Sequence, residues 1–225
     1  MYETSQLLDM AEQRARVYDR IIGNLMTLPS PAFVEGIRSQ EYKLFLEKYA
    51  ALEQPALKKG CVAVLAFLAE SGQWGESEMI ERMAVDRTRL IRAPFAKAYP
   101  PPYENQYGSG KASSDHLTLT QLYRSYGYAL DDDTDTVDFF AIELDFLRML
   151  IIKMEENPEQ IAVLLQAQLD FIQNRPGAWI KTYVEKASPH AETDFYKGWL
   201  HIMEGFLELE QGYLSLVRAN SKTTS

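Results

Sequence analysis

Between Ser5 and Met26 the apolar residues Leu7, Leu8, Ala11, Tyr18, Ile22 and Leu25 fall three, four or seven positions apart, the spacing of one helix face. The run "LPSP" from Leu28 to Pro31 ends that helix. Shorter helices are predicted around Phe33 to Tyr49 and from Gln54 to Glu70, where Pro55 suits the first turn and Gly72 the exit. Another covers "GESEMIERMAVDRTRLI" and stops before Pro94. Helical spacing resumes in "SDHLTLTQLYRSYGYAL", with Ser114 or Asp115 placed as an N-cap. The segment "VDFFAIELDFLRMLIIKM" is apolar nearly all round, so it is expected at the centre of a bundle. Two helices that begin with proline follow, Pro158 to Gln173 and Pro176 to Lys186. The last runs from Glu192 to Val217 with Phe195, Trp199, Ile202, Phe206 and Leu209 in register. No strand-like alternation and no internal repeat appears. The pattern predicts an all-α, single-domain bundle of nine or ten helices. A proline- and tyrosine-rich central loop at 94–113 separates its N- and C-terminal halves, because "AYPPPYENQYGSGKASSDH" cannot be helix.

Composition agrees with one sizeable core: 46% of the 225 residues are hydrophobic and 24% charged, which is globular and not disordered. The net charge of -9 and the lack of a Lys/Arg stripe argue against nucleic acid and for a cationic partner. A single cysteine, Cys61 in "CVAVLAFLA", rules out an internal disulfide and reads as a buried small hydrophobe. No apolar run is long enough to span a membrane and the first residues do not resemble a leader, so a cytoplasmic protein without stable membrane insertion is expected.

The chemistry-bearing motifs are sparse. Gly108-Ser109-Gly110-Lys111 ends like a phosphate loop, but Asn105 and Ala112 stand where Gly and Ser/Thr are needed. "DDDTDT" fails as a calcium loop, with Thr136 and Ile142 at the Gly and Glu positions. As an Asp-rich Mg-diphosphate motif (Asp131, Asp132, Asp135) it lacks a second carboxylate cluster on another helix, so an isoprenoid-diphosphate enzyme is the weaker alternative. Asp135 and Asp138 suit instead the start of the next helix, whose free N–H groups they can cap. The scattered His116, His190 and His201 form no zinc pair, and no catalytic nucleophile, metal site or cofactor is assigned. Glu143 lies in the most apolar helix, where a carboxylate needs a partner; Arg89 is the expected one.

Three pieces stand in a suggestive order. "VDRTRLIRAP" carries Asp86, Thr88, Arg89, Leu90 and Pro94; "PPYENQY" carries Pro101, Pro102, Tyr103 and Tyr107; "DTVDFFAIELDFLRML" carries Asp138, Glu143, Leu144 and Phe146. Together they resemble the TorD/DmsD-type (NarJ-like) maturation chaperones of the twin-arginine pathway, over roughly residues 40 to 217 in helix order. Asn105 replaces the family's usual Ser, and Phe139 stands where its His is expected. The resemblance implies a non-enzymatic, all-helical chaperone. Its partners would be the twin-arginine signal peptide and the body of a molybdopterin oxidoreductase catalytic subunit, and it would be a monomer or a helix-exchanged dimer. A generic helical interaction scaffold is the other alternative.

The chain supplies surfaces of matching chemistry. Seven carboxylates from Asp131 to Asp145, without Lys or Arg among them, suit paired guanidiniums. Tyr99, Tyr103, Tyr107 and the prolines suit an apolar segment. The peptide-binding residues expected from this reading are Arg89, Leu90, Tyr99, Pro101, Tyr103, Asn105, Tyr107, Asp138, Phe139 and Glu143.

Overall fold

A computed structural model describes residues 4–92, 100–108, 116–130 and 136–222. Pro94, Tyr99, the Ser109 to Lys111 run, Ser114, Asp115 and Asp131 to Asp135 lie outside the described residues.

The described residues form helices and no strand: α1 (Thr4–Met26), α2 (Pro31–Arg38), α3 (Gln40–Ala50), α4 (Pro55–Glu70), α5 (Glu76–Arg87), α6 (Glu104–Tyr107), α7 (His116–Ser125), α8 (Phe140–Glu156), α9 (Ile161–Asn174), α10 (Pro176–Ala187) and α11 (Asp194–Lys222). Short 3-10 turns and one π-helical turn, Thr88–Arg92, complete them. The stop signals act as the pattern predicts. Ser30 accepts a hydrogen bond from the Phe33 N–H and opens α2 behind Pro31, and Gln54 does the same for α4 through Leu57. No helix among the described residues is long and apolar enough to cross a membrane.

The chain divides into two compact units, each discontinuous in sequence. The first comprises Met1–Ile22, Pro102–Ile180 and Leu207–Ser225, and the second Gly23–Pro101 and Lys181–Phe206. The first unit is organised around α8, which buries Phe140, Leu144, Phe146, Leu147, Leu150 and Ile151 on several sides. Phe146 packs its ring 4.7 Å from both Tyr123 and Phe171. In the second unit Trp199 donates its indole N–H to Tyr42, which in turn donates to Asn24, at 2.8 and 2.6 Å. Backbone approaches backbone there: a Cβ on Gly60 would lie 2.4 Å from the Gly198 carbonyl oxygen, so both helices need glycine at this crossing. Cys61, one residue on, is fully buried, and burial pushes its thiol up to about 12.

Two details depart from the sequence pattern. On α11, Leu209 is only half-buried, and its neighbour Glu210 is enclosed. Glu210 takes three contacts of 2.8 to 3.0 Å from Arg14 of α1, whose guanidinium also donates to Gln168. The pair fills the interior where an unpaired charge could not remain. The second departure concerns residues 104–107, expected as loop, which form one helical turn.

Candidate functional site

That turn is the start of the site. Pro102 has no N–H, so its carbonyl is what it offers the backbone; it accepts the Phe140 N–H at 3.1 Å while Glu104 donates to the Asp138 carbonyl at 2.9 Å. The result is a single antiparallel bridge, Tyr103 to Phe139, with the two rings 5.1 Å apart. The chain then turns through Glu104–Tyr107 because Asp138 supplies an acceptor for the Asn105 N–H at 3.1 Å. Asp138 therefore caps α6 and not α8, whose own N-cap, Phe139, has no side-chain bond. Its other oxygen takes the Thr136 hydroxyl at 2.9 Å and lies 3.3 Å from His116 Nε2.

Three carboxyl groups collect below this bridge, all buried: Glu104, Asp138 and Glu143. Arg175 reaches Glu104 at 2.9 Å. Glu143 has Trp179 as its hydrogen-bond partner, at 3.0 Å from the indole N–H, in place of the expected Arg89. Its second oxygen is buried without a partner. Complete burial holds the Glu143 carboxyl well above the ordinary range, helped by negative Glu104 and Asp138 and opposed by Trp179 and Arg175. Glu104 is also raised by burial, against the pull of Arg175. Tyr107 stacks on the other face of the arrangement, 5.9 Å from the Trp179 ring.

The first unit thus brings together Tyr103, Asn105, Tyr107, Asp138, Phe139 and Glu143. Tyr107, Asp138, Phe139 and Glu143 are enclosed, Tyr103 is half-buried and Asn105 is exposed. The acidic surface expected from Asp131 to Asp145 takes another form among its described members. Asp138 and Glu143 face inward, and Asp145 is engaged by Arg148 and the Tyr128 hydroxyl, both at 2.8 Å.

Arg89, Leu90 and Pro101 belong to the second unit. Arg89 forms an ion pair with Glu192, and the buried Leu90 gives its carbonyl to the Tyr183 hydroxyl at 2.9 Å. Asp86, from the same motif, accepts the backbone N–H groups of Glu192 and Thr193 and the Thr193 hydroxyl within 3.0 Å, which anchors the start of α11. Sequence reasoning missed Glu104, Arg175, Trp179 and His116 as members of the cluster. Glu104 and Arg175 are 71 positions apart, and no local spacing links them.

The family described as nitrate reductase delta subunit matches residues 50–185. Among curated proteins the chain is similar to the Chaperone protein TorD of Vibrio parahaemolyticus, 29% identical over 119 residues, covering 50% of this chain and 55% of that one. Its counterpart in Photobacterium profundum is 29% identical over 99 residues, covering 43% and 46%. In these two matches the chain spans about half the length of the relative. The TorD of Aliivibrio salmonicida is 24% identical over 212 residues, covering 91% and 95%.

Proposed function

The chain belongs to the nitrate reductase delta subunit family, and we propose from that premise that it is a cytoplasmic maturation chaperone. It binds the twin-arginine signal peptide of a molybdenum-containing oxidoreductase subunit and holds that subunit back until its cofactor is inserted. The names of the TorD relatives support the chaperone part of this reading. The observation that carries it is the junction of two motifs: "PPYENQY" is clamped to the start of α8 through Asp138, Phe139 and Phe140. Tyr103 and Asn105 are the surface-reaching contacts of the first unit in this reading, and Pro101 is an expected contact in the second. Tyr107, Asp138, Phe139 and Glu143 fix the geometry of Tyr103 and Asn105 from below. Arg89 and Leu90, in the second unit, stand by themselves as expected contacts, and Tyr99 lies outside the described residues.

A stiff, proline-rich contact loses little conformational entropy when a peptide docks. The test is isothermal titration with a synthetic peptide in which Arg-Arg precedes an apolar stretch, and with its Lys-Lys counterpart. Binding of the first and a loss of about tenfold or more for the second are expected, because a lysine cannot reproduce the planar two-point donor of arginine. Equal affinities, or no heat from either, defeat the reading.

A further inference from the structure

A cavity of about 300 Å3 lies within the first unit, between α7, α8 and α9, and shares Arg175 with the carboxyl cluster. Its apolar wall is made by Leu122, Tyr126, Phe146 and Phe171. The Phe146 and Phe171 rings stand edge to face at 4.7 Å, and Tyr126 closes on Phe146 at 5.9 Å. Its polar margin carries Asp170 and Arg175. The volume is at the bottom of the range of about 300 to 1,000 Å3 that small-molecule sites occupy, so it suits a single large side chain better than a cofactor.

The charges at the margin favour a cation beside that side chain. Arg175 already spends its charge on Glu104. Asp170 is exposed, with the Gln166 amide at 2.6 Å as its neighbour. It lies in the last turn of α9, where helix carbonyls add negative potential. The first unit as a whole is acidic. By formal count the first unit holds nineteen Asp and Glu against ten Lys and Arg, whereas the second holds thirteen of each, so the formal net charge of -9 belongs to the unit that contains the cavity. A second copy of this surface would be repelled, and a basic partner would be drawn in.

We propose that this cavity is an anchor site for a leucine- or phenylalanine-sized side chain of a positively charged peptide segment, with a neighbouring Lys or Arg against Asp170. The occupant is the apolar part of the client leader, so the proposal rests on the maturation-chaperone reading, but it places a contact apart from the Tyr103–Phe139 bridge.

The full chain is titrated with the Arg-Arg and Lys-Lys peptides as wild type, as Ala167→Trp, which fills the cavity from its α9 wall, and as Asp170→Lys. Each variant is expected to bind the better peptide about tenfold more weakly, the loss typical of removing a buried anchor or its charge partner. Thermal melts accompany the titrations; if Ala167→Trp does not fold, Asp170→Lys on the exposed margin decides. If wild type prefers Arg-Arg and the deciding variant binds as wild type does, the anchor is overturned and the chaperone reading stands. If both peptides bind equally and both weaken in the variant, the anchor stands and twin-arginine recognition falls. If neither peptide binds wild type, both fall.

Discussion

At the scale of single residues, the informative feature is a carboxyl group that burial pushes toward its protonated form. Glu143 sits fully enclosed with one oxygen on the Trp179 indole and the other without a partner. Burial raises its folded-state value far above 4.5, the ordinary value. Below that ordinary value both folded and unfolded chains hold the proton, and Glu143 costs nothing. As pH climbs past it, the unfolded chain ionises while the folded one does not, so stability falls until the folded value is reached. Glu143→Gln keeps an acceptor for Trp179 and removes this loss. Its melting temperature is expected to match wild type near pH 4 and to exceed it at pH 8 by about 2–4 °C, the gain that ~1 kcal/mol gives in a chain of this size. Melts of both proteins across that range check it, and a variant that is less stable at pH 8 contradicts it. Arg175 presents the opposite case. Arg175→Met leaves Glu104 buried beside two other carboxyl groups, and the expected cost at pH 7 is about 3–5 kcal/mol by denaturant unfolding. The letters of Glu143 and Asp138 stood out in the sequence because they interrupt or precede an apolar run. Arg175, Trp179 and His116 did not, since what joins them to the cluster is contact across the fold.

At the scale of elements, most boundaries follow from local chemistry, and the exceptions follow from tertiary partners. Proline starts, serine caps and apolar spacing specify α1 through α5 and α8 through α11 within a few residues. The turn Glu104–Tyr107 does not show in the sequence because proline, glycine and tyrosine argue against helix, while the deciding acceptor, Asp138, arrives from a segment 33 positions away. Asp86 works on the same principle. It lies on α5, yet its carboxylate satisfies the first N–H groups of the α11 approach, and a sequence scan sees only a charged residue near a helix end. Asp86→Ala removes all three acceptances and is expected to destabilise by about 1–2 kcal/mol or more, the upper range for a lost cap. Denaturant unfolding reads the loss, and the fraying it produces should appear as faster amide exchange at residues 192–196. Gly60→Ala is a separate test of the α4 and α11 crossing. Its Cβ meets backbone atoms, which cannot rotate away, so a loss of about 1–3 kcal/mol is expected where an exposed helical Gly→Ala would stabilise.

At the scale of the whole molecule, the sequence makes the net charge plain but not its distribution. Apart from the acidic run from Asp131 to Asp145, acidic and basic residues are interspersed along the chain, and the two units interleave in sequence, so the neutrality of the second unit emerges only when residues are sorted by unit. The second unit then proves neutral, and the first carries all of the excess. A charge this uneven acts at distances beyond contact, raising the encounter rate of a cationic peptide while leaving the apolar interactions that retain it largely untouched. The two contributions separate by salt. Between about 20 mM and 500 mM ionic strength the screening length shrinks from roughly 20 Å to about 4 Å, so long-range attraction is lost while a buried side chain feels little change. Stopped-flow binding of the Arg-Arg peptide is therefore expected to show an association rate that drops by about tenfold over that range and a dissociation rate that changes by less than about threefold. Ala167→Trp should show the reverse signature, a near-normal association rate with fast dissociation. A peptide whose dissociation rate alone responds to salt would locate the recognition in close ion pairs, and the field of the first unit would then have no part in capture.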